Sequence, residues 1–257
     1  MKIIPAEQPS DQKWVGVCIS PAMIDQFELD NAIVVVIDIL RATTSMCVAF
    51  AHGAKSIVPV VDIEECMTYK EKGFLVAAER NGEMIQGFDF GNSPFSYMQD
   101  KIKGRDIAMT TTNGTKCIDL ALKGNAKEII IGSFANLTVL CRYLIERNEN
   151  IVLFCSGWKD RINLEDTIFA GAVIKKLWPR FRLYEDAALI AETLYRNANR
   201  KKRFYMRNSS HFNRMIHLRI QNDVKYSLRR DTNAVIPMLK DGSLVNILPP
   251  RKRTILK

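Results

Sequence analysis

Asp38 and Arg41 stand three residues apart where an apolar run, Ala32 to Ile37, meets a polar turn. A carboxylate there offers hard oxygen to a divalent cation, and a guanidinium offers a forked donor to a phosphate. The same two residues would serve equally well as a helix cap and its neutralising partner. Glu79-Arg80-Asn81-Gly82 closes a second apolar run and leads through Asp89 to Asn92-Ser93-Pro94, a helix start whose backbone N–H groups favour an anion. After a third run, Thr111, Thr112, Asn113, Gly114 and Thr115 combine hydroxyls, an amide and helix-start N–H groups. That set suits phosphate oxygens or a sulfonate, although the lysine of a Walker A loop is missing and Asn-Gly is also a common structural turn.

Two further groups follow. Cys155-Ser156-Gly157-Trp158-Lys159-Asp160-Arg161 has the spacing of a thiolate nucleophile and its phosphate-holding arginine, yet Phe154 precedes the thiol and the loop is poor in glycine. Glu165-Asp166 opens an amphipathic pattern through Ile168, Ala172, Val173 and Leu177, with Asn163 placed to cap it. Paired acids at a helix start complement its dipole, and they are also candidates for a metal site or a general base. His52, His211 and His217 lack the spacing of a joint metal site, and none is a preferred catalytic residue.

These groups need elements to hold them. Trp14 to Ile19, Ala32 to Asp38, Ser56 to Val61, Phe74 to Ala78, Asp106 to Thr110, Glu128 to Gly132 and Ile151 to Cys155 read as strands, with helical patterns between them. Continuous apolarity without alternation is the mark of strands covered on both faces. The expected fold is therefore α/β, with a largely parallel or mixed sheet between helical layers. In such sheets ligands collect at the carboxyl ends of strands, where the polar groups fall. Past Leu177 the strand signal fades; a helical stretch from Asp186 to Leu228 precedes a tail punctuated by Pro237, Pro249 and Pro250. The expectation is a catalytic core over 1–180 with a helical lobe and tail, 181–257, packed on it as one continuous domain.

At 257 residues and 47% hydrophobic, the chain can bury a substantial core. Its apolar runs are far shorter than a membrane span, and the first residues lack the apolar stretch of a secretory signal, so a cytoplasmic location without membrane association is expected. Cys18, Cys47, Cys66, Cys117, Cys141 and Cys155 lack CxxC pairing and read as thiols. Residues 200–230 hold ten Lys and Arg against Asp223 alone, equal to the entire formal net charge of +9. A solvated helical face is the plainest reading; steering of an anionic substrate is a second. A nucleic-acid surface is a third, disfavoured because no nucleic-acid motif accompanies it.

Taken in order, VVVIDILRATTS, ERNGEMIQGFDFGNSP, TTTNGT and CSGWKDRINLEDTIFAG resemble the signature of the 2-phosphosulfolactate phosphatase family, the ComB-like proteins of coenzyme M biosynthesis. The likeness covers about residues 32 to 177. It implies an α/β fold unrelated to the haloacid dehalogenase phosphatases, magnesium dependence, and hydrolysis of 2-phospho-3-sulfolactate to 3-sulfolactate and phosphate. The positions it supports are Asp38, Arg41, Glu79 to Asn81, Asp89, Asn92, Ser93, Thr112 to Thr115, Cys155, Gly157, Arg161, Glu165 and Asp166. Ser209-Ser-His211-Phe-Asn-Arg214 departs from a segment that tends to be glycine-rich in the family, and Asn222-Asp223-Val224 is a partial echo.

The resulting expectation is a Mg²⁺ ion held by Asp38 with Glu79, Asp89, Glu165 or Asp166. Arg41, Arg80 and Arg161 would bind the acidic groups of a small phosphate ester, and Asn81, Asn92, Ser93, Thr112, Asn113, Gly114, Thr115 and Gly157 would line its site. A covalent mechanism through Cys155 and Arg161 is the alternative. The number of subunits is open, a homo-oligomer included.

Overall fold

The computed structural model describes residues 11–198 and 205–248. In chain order its strands are β1 (Trp14–Cys18), β2 (Ala32–Ile37), β3 (Ser56–Pro59), β4 (Leu75–Arg80), β5 (Glu83–Met84), β6 (Asp106–Thr110), β7 (Glu128–Gly132), β8 (Asn150–Cys155), β9 (Arg182–Tyr184), β10 (Pro237–Lys240) and β11 (Ser243–Asn246). The helices are α1 (Ala42–Ala51), α2 (Ile63–Thr68), α3 (Gly114–Lys123), α4 (Leu137–Arg147), α5 (Leu164–Leu177), α6 (Glu185–Ala198), α7 (Ser210–His217) and α8 (Gln221–Ser227). The fold is α/β, as the alternation of apolar runs and helical patterns predicts. Among the described residues no helix is long and apolar enough to cross a membrane.

All strands join one mixed sheet in the order β5-β4-β6-β3-β11-β10-β7-β2-β8-β1-β9. Two blocks are internally parallel, β4-β6-β3 and β7-β2-β8-β1-β9. Between them lies the hairpin β10–β11, antiparallel to β7 on one side and to β3 on the other. Within the expected Pro-punctuated tail, residues 237–246 form two central strands of this sheet. Leu244 is fully buried and pairs with Ile57. Asp241 and Gly242 make the hairpin turn with φ of 48° and 77°, the double left-handed pair that matches strand twist.

Side chains alternate between two faces, as strand geometry requires. On β2, Val34 and Val36 point into a core that also contains Met46, Phe50 and Cys117 from α1 and α3, with Ile107 and Met109 of β6. Ile33, Val35 and Ile37 point the other way, beneath α4, α5 and α6. On β4, Val76 and Ala78 face α2. Thus α1 and α3 are shared by both parallel blocks on one face, while α4, α5 and α6 cover one block and α2 the other on the opposite face.

In a flat sheet five inter-strand steps, about 24 Å, would separate β6 from β2. Yet a Cβ added to Gly114, the first residue of α3, would lie 2.8 Å from Ala42 Cβ and 3.1 Å from Asp38 Oδ2. The sheet therefore curls around α1 and α3, and the loops at the carboxyl ends of both blocks meet.

Candidate active site

The meeting point is a small cleft lined by Asp38, Leu40, Arg41, Glu79, Asn81, Gly82, Asn92, Thr112, Asn113, Trp158, His211, Arg214 and Met215. Asp38 follows β2 directly, and its carboxylate faces Ala42 N–H at the start of α1. Burial pushes its carboxyl up to about 6; Glu79 and Glu165 add to the rise and His211 opposes it. Glu79 closes β4, where its carboxylate accepts from Gly82 N–H and from the Thr112 hydroxyl.

Arg41 reaches across from the β2 turn. Its guanidinium donates to the buried Asp223 carboxylate of α8 and to Gly82 C=O. Asp223 also accepts from Ser93 Oγ at 3.1 Å. Beneath the cleft, Glu165 opens α5 fully buried; one oxygen contacts His211 Nδ1 and the other has no hydrogen-bond partner among the described residues. Asn163 lies 3.3 Å from the same imidazole nitrogen. His211 is delivered by the first turn of α7, which Ser209 caps by accepting from Phe212 N–H. Arg214, one turn along that helix, lies with its guanidinium 3.7 Å from the Trp158 ring centroid.

A model of the 2-phosphosulpholactate phosphatase family matches residues 18–242, which takes in every one of these cleft residues. The chain belongs to the 2-phosphosulfolactate phosphatase family. A protein of Thermotoga maritima named probable 2-phosphosulfolactate phosphatase is 38% identical over 211 residues, 82% of this chain and 90% of the relative. Proteins of the same name are 34% identical in Caldanaerobacter subterraneus, over 85% of this chain and 92% of the relative, and 33% identical in Clostridium acetobutylicum, over 90% and 99%.

Of the positions carried by the family resemblance, the structure gathers Asp38, Arg41, Glu79, Asn81, Asn92, Thr112 and Asn113 around one cleft, with Gly114 at its wall. The others have different work. Asp89 accepts from Val76 N–H near the amino end of β4, about three residues or 10 Å down the strand from Glu79, which removes it from any shared metal site. Arg80 donates to the backbone of Glu79 and Val61 and to Thr110 Oγ1, tying β4 to its neighbour. Ser93 is held by Asp223, and Thr115 is bonded to Thr111 both by its N–H and by its hydroxyl.

Cys155 and Arg161 are not brought together in the cleft lining. Cys155 is fully buried at the end of β8, and burial with the nearby Asp166 carboxylate pushes its thiol well above the ordinary range. An attacking thiolate needs the reverse environment. Arg161 is exposed in a tight turn whose backbone pairs with Trp158, outside the cleft lining. Gly157 begins that turn at φ 57°, and a Cβ there would stand 2.1 Å from Arg161 C=O, so glycine is needed for the turn itself. Asp166 uses both oxygens locally, accepting from Ile39 N–H at 2.9 Å, Gly157 N–H at 3.2 Å and Ser156 Oγ at 3.3 Å. It pins the ends of β2 and β8 together; burial, then Glu165 and Asp38, push its carboxyl well up.

Sequence reasoning passed over His211, Arg214, Asp223 and Trp158. Their signals were in view, as an odd segment at Ser209 to Arg214 and a single acid at Asp223 in a basic tract, but nothing local connected them to loops at the strand ends.

Among the described residues no three His, Cys, Asp or Glu side chains are gathered into an all-protein metal site. Magnesium does not require one, because it keeps several waters and is held by one or two carboxylates together with substrate phosphate. Asp38 together with Glu79, or with the unpartnered oxygen of Glu165, fits that pattern.

Proposed function

We propose that this chain hydrolyses 2-phospho-3-sulfolactate to 3-sulfolactate and phosphate, the coenzyme M type of reaction, in a magnesium-dependent manner and in the cytoplasm. The observation that carries the reading is the convergence, in a cleft of a family member, of buried carboxylates with the start of α3 and its Thr112 and Asn113 donors. Helix-start N–H groups and hydroxyls are phosphate ligands. Carboxylates beside them would repel a phosphate unless a cation intervened.

Magnesium held by Asp38 with Glu79 or Glu165 would neutralise the phosphate oxygens and lower the pKa of water. The chain supplies the rest. Thr112, Asn113 and the α3 N-terminus hold the phosphoryl group, and Arg41 is fixed by Asp223 at the opposite wall. A cluster carboxylate orients water for in-line attack on phosphorus and takes its proton. The bond from phosphorus to the C2 oxygen breaks, and that oxygen recovers a proton to leave 3-sulfolactate.

Phosphate release from synthetic 2-phospho-3-sulfolactate, with magnesium and after chelation, tests the reading. Release that stops on chelation and returns with magnesium is expected. No release in either condition would overturn the substrate, and undiminished release after chelation would overturn the metal. Asp38→Asn should lower magnesium-dependent release by about a hundredfold or more. Because it removes a carboxylate whose charge is disfavoured by burial, and further by Glu79 and Glu165, its melting temperature should be equal to or above that of the parent.

A further inference from the structure

Three arginines were expected to bind the acidic groups of the substrate, and the structure commits or removes all of them: Arg41 to Asp223, Arg80 to backbone and Thr110, and Arg161 to an exposed turn. Arg214 is different. It lines the cleft, its guanidinium carbon lies 3.7 Å from the Trp158 ring centroid, and among the described residues its side chain has no ion pair or hydrogen bond. An arginine stacked on an aromatic face loses little further freedom on binding, and its N–H edge keeps a planar fork for an oxyanion. Arg214 enters the cleft from α7, whereas Thr112 and Asn113 enter it from the loop before α3.

We propose that Arg214, braced by Trp158, is the subsite for the acid group that the ester carries beyond its phosphate, a sulfonate or carboxylate, and so sets the enzyme's preference for polyanionic esters. This rests on the phosphatase reading above and adds its specificity element. The two apolar residues beside it, Leu40 and Met215, would contact the short carbon skeleton between the two anionic ends.

Selectivity tests it. The quantity is kcat/KM for phosphosulfolactate divided by that for a small phosphate ester lacking both acids, with 2-phospholactate, which keeps only the carboxylate, as the intermediate arm. Arg214→Met should lower this ratio about 10- to 100-fold, the worth of one or two charge-assisted hydrogen bonds. Arg214→Lys should recover part of it. A fall against phosphosulfolactate but not phospholactate assigns the sulfonate; a fall against both assigns the carboxylate. An unchanged ratio overturns the proposal, whether turnover drops equally on all esters or does not drop at all.

Calorimetric titration with 3-sulfolactate, which carries both acids and no phosphate, gives a second readout. Binding by the parent and its loss in Arg214→Met, with an unchanged melting temperature, is expected. Equal binding by both overturns the proposal. If the parent binds sulfolactate through Arg214 yet releases no phosphate from its ester, the phosphatase reading fails while the subsite stands.

Discussion

At the residue scale, the decisive contrast is between a buried thiol and a crowded set of carboxylates. Cys155 has spacing that suggests a nucleophile, but spacing is a property of the chain and reactivity a property of the surroundings. With its thiol desolvated beside Asp166, Cys155→Ala should leave turnover within about threefold of the parent, where loss of a true covalent nucleophile costs several orders of magnitude. Native Cys18, Cys47 and Cys141, each pushed by burial up to about 12, should resist iodoacetamide at pH 8 until the protein is unfolded. Phosphate-release kinetics of the variant check the first statement, and mass spectrometry of alkylated protein checks the second. Asp38 and Glu79 were legible because each follows an apolar run directly, and a strand end fixes where its next residue points; Thr112 and Asn113 were legible as part of a hydroxyl-rich turn from strand to helix. Arg80 at a strand end and Asp166 at a helix start were expected in the site as well, yet both turn to structural partners, since local sequence does not reveal which nearby N–H or hydroxyl lacks a partner.

At the scale of elements, the seven apolar runs were readable as strands because burial on both faces leaves an unbroken pattern, as in β2, where all six residues are buried. β10 and β11 were not, being four residues each and introduced by a proline that suggested a tail. Asp241-Gly242 between short apolar pairs was the available signal. Strand neighbours also show how charge supports the sheet. Asp106, at the start of β6, accepts from Ser56 Oγ and Lys55 Nζ at the start of β3, and these partners outweigh its burial to hold its carboxyl below the ordinary range. A carboxyl lowered in the folded state contributes stability above its unfolded pKa of about 3.9, and that stability is lost as pH falls through the folded value. Asp106→Asn should therefore be less stable than the parent at pH 7 but converge with it by about pH 2, as urea melts across that range would show. A constant difference at all pH values would refute the linkage.

At the scale of the whole molecule, the curl of the sheet makes one cleft from two parallel blocks, and a single late hairpin closes the seam between them. Leu244→Ala, at a fully buried seam position, should cost about 2–5 kcal/mol of global stability with little change in denaturant slope. The basic stretch fits this scale too. Arg214 is taken into the cleft, Arg229 and Arg230 lie over the rings of Tyr226 and Tyr195, and residues 200–203 fall outside the described ones. Fluorescence anisotropy with a labelled 30-mer at low salt separates a field that draws in small anions from a polynucleotide surface; negligible binding is expected.

Because the seam is filled by strands that come after all the others among the described residues, translation delivers both blocks before the piece that can unite them. A ribosome-bound chain stalled after residue 230 would hold β3 and β7 with open edges, a state prone to pairing with neighbours. Catalytic competence would then arrive in one step, on emergence of the final hairpin, instead of growing as each loop is made.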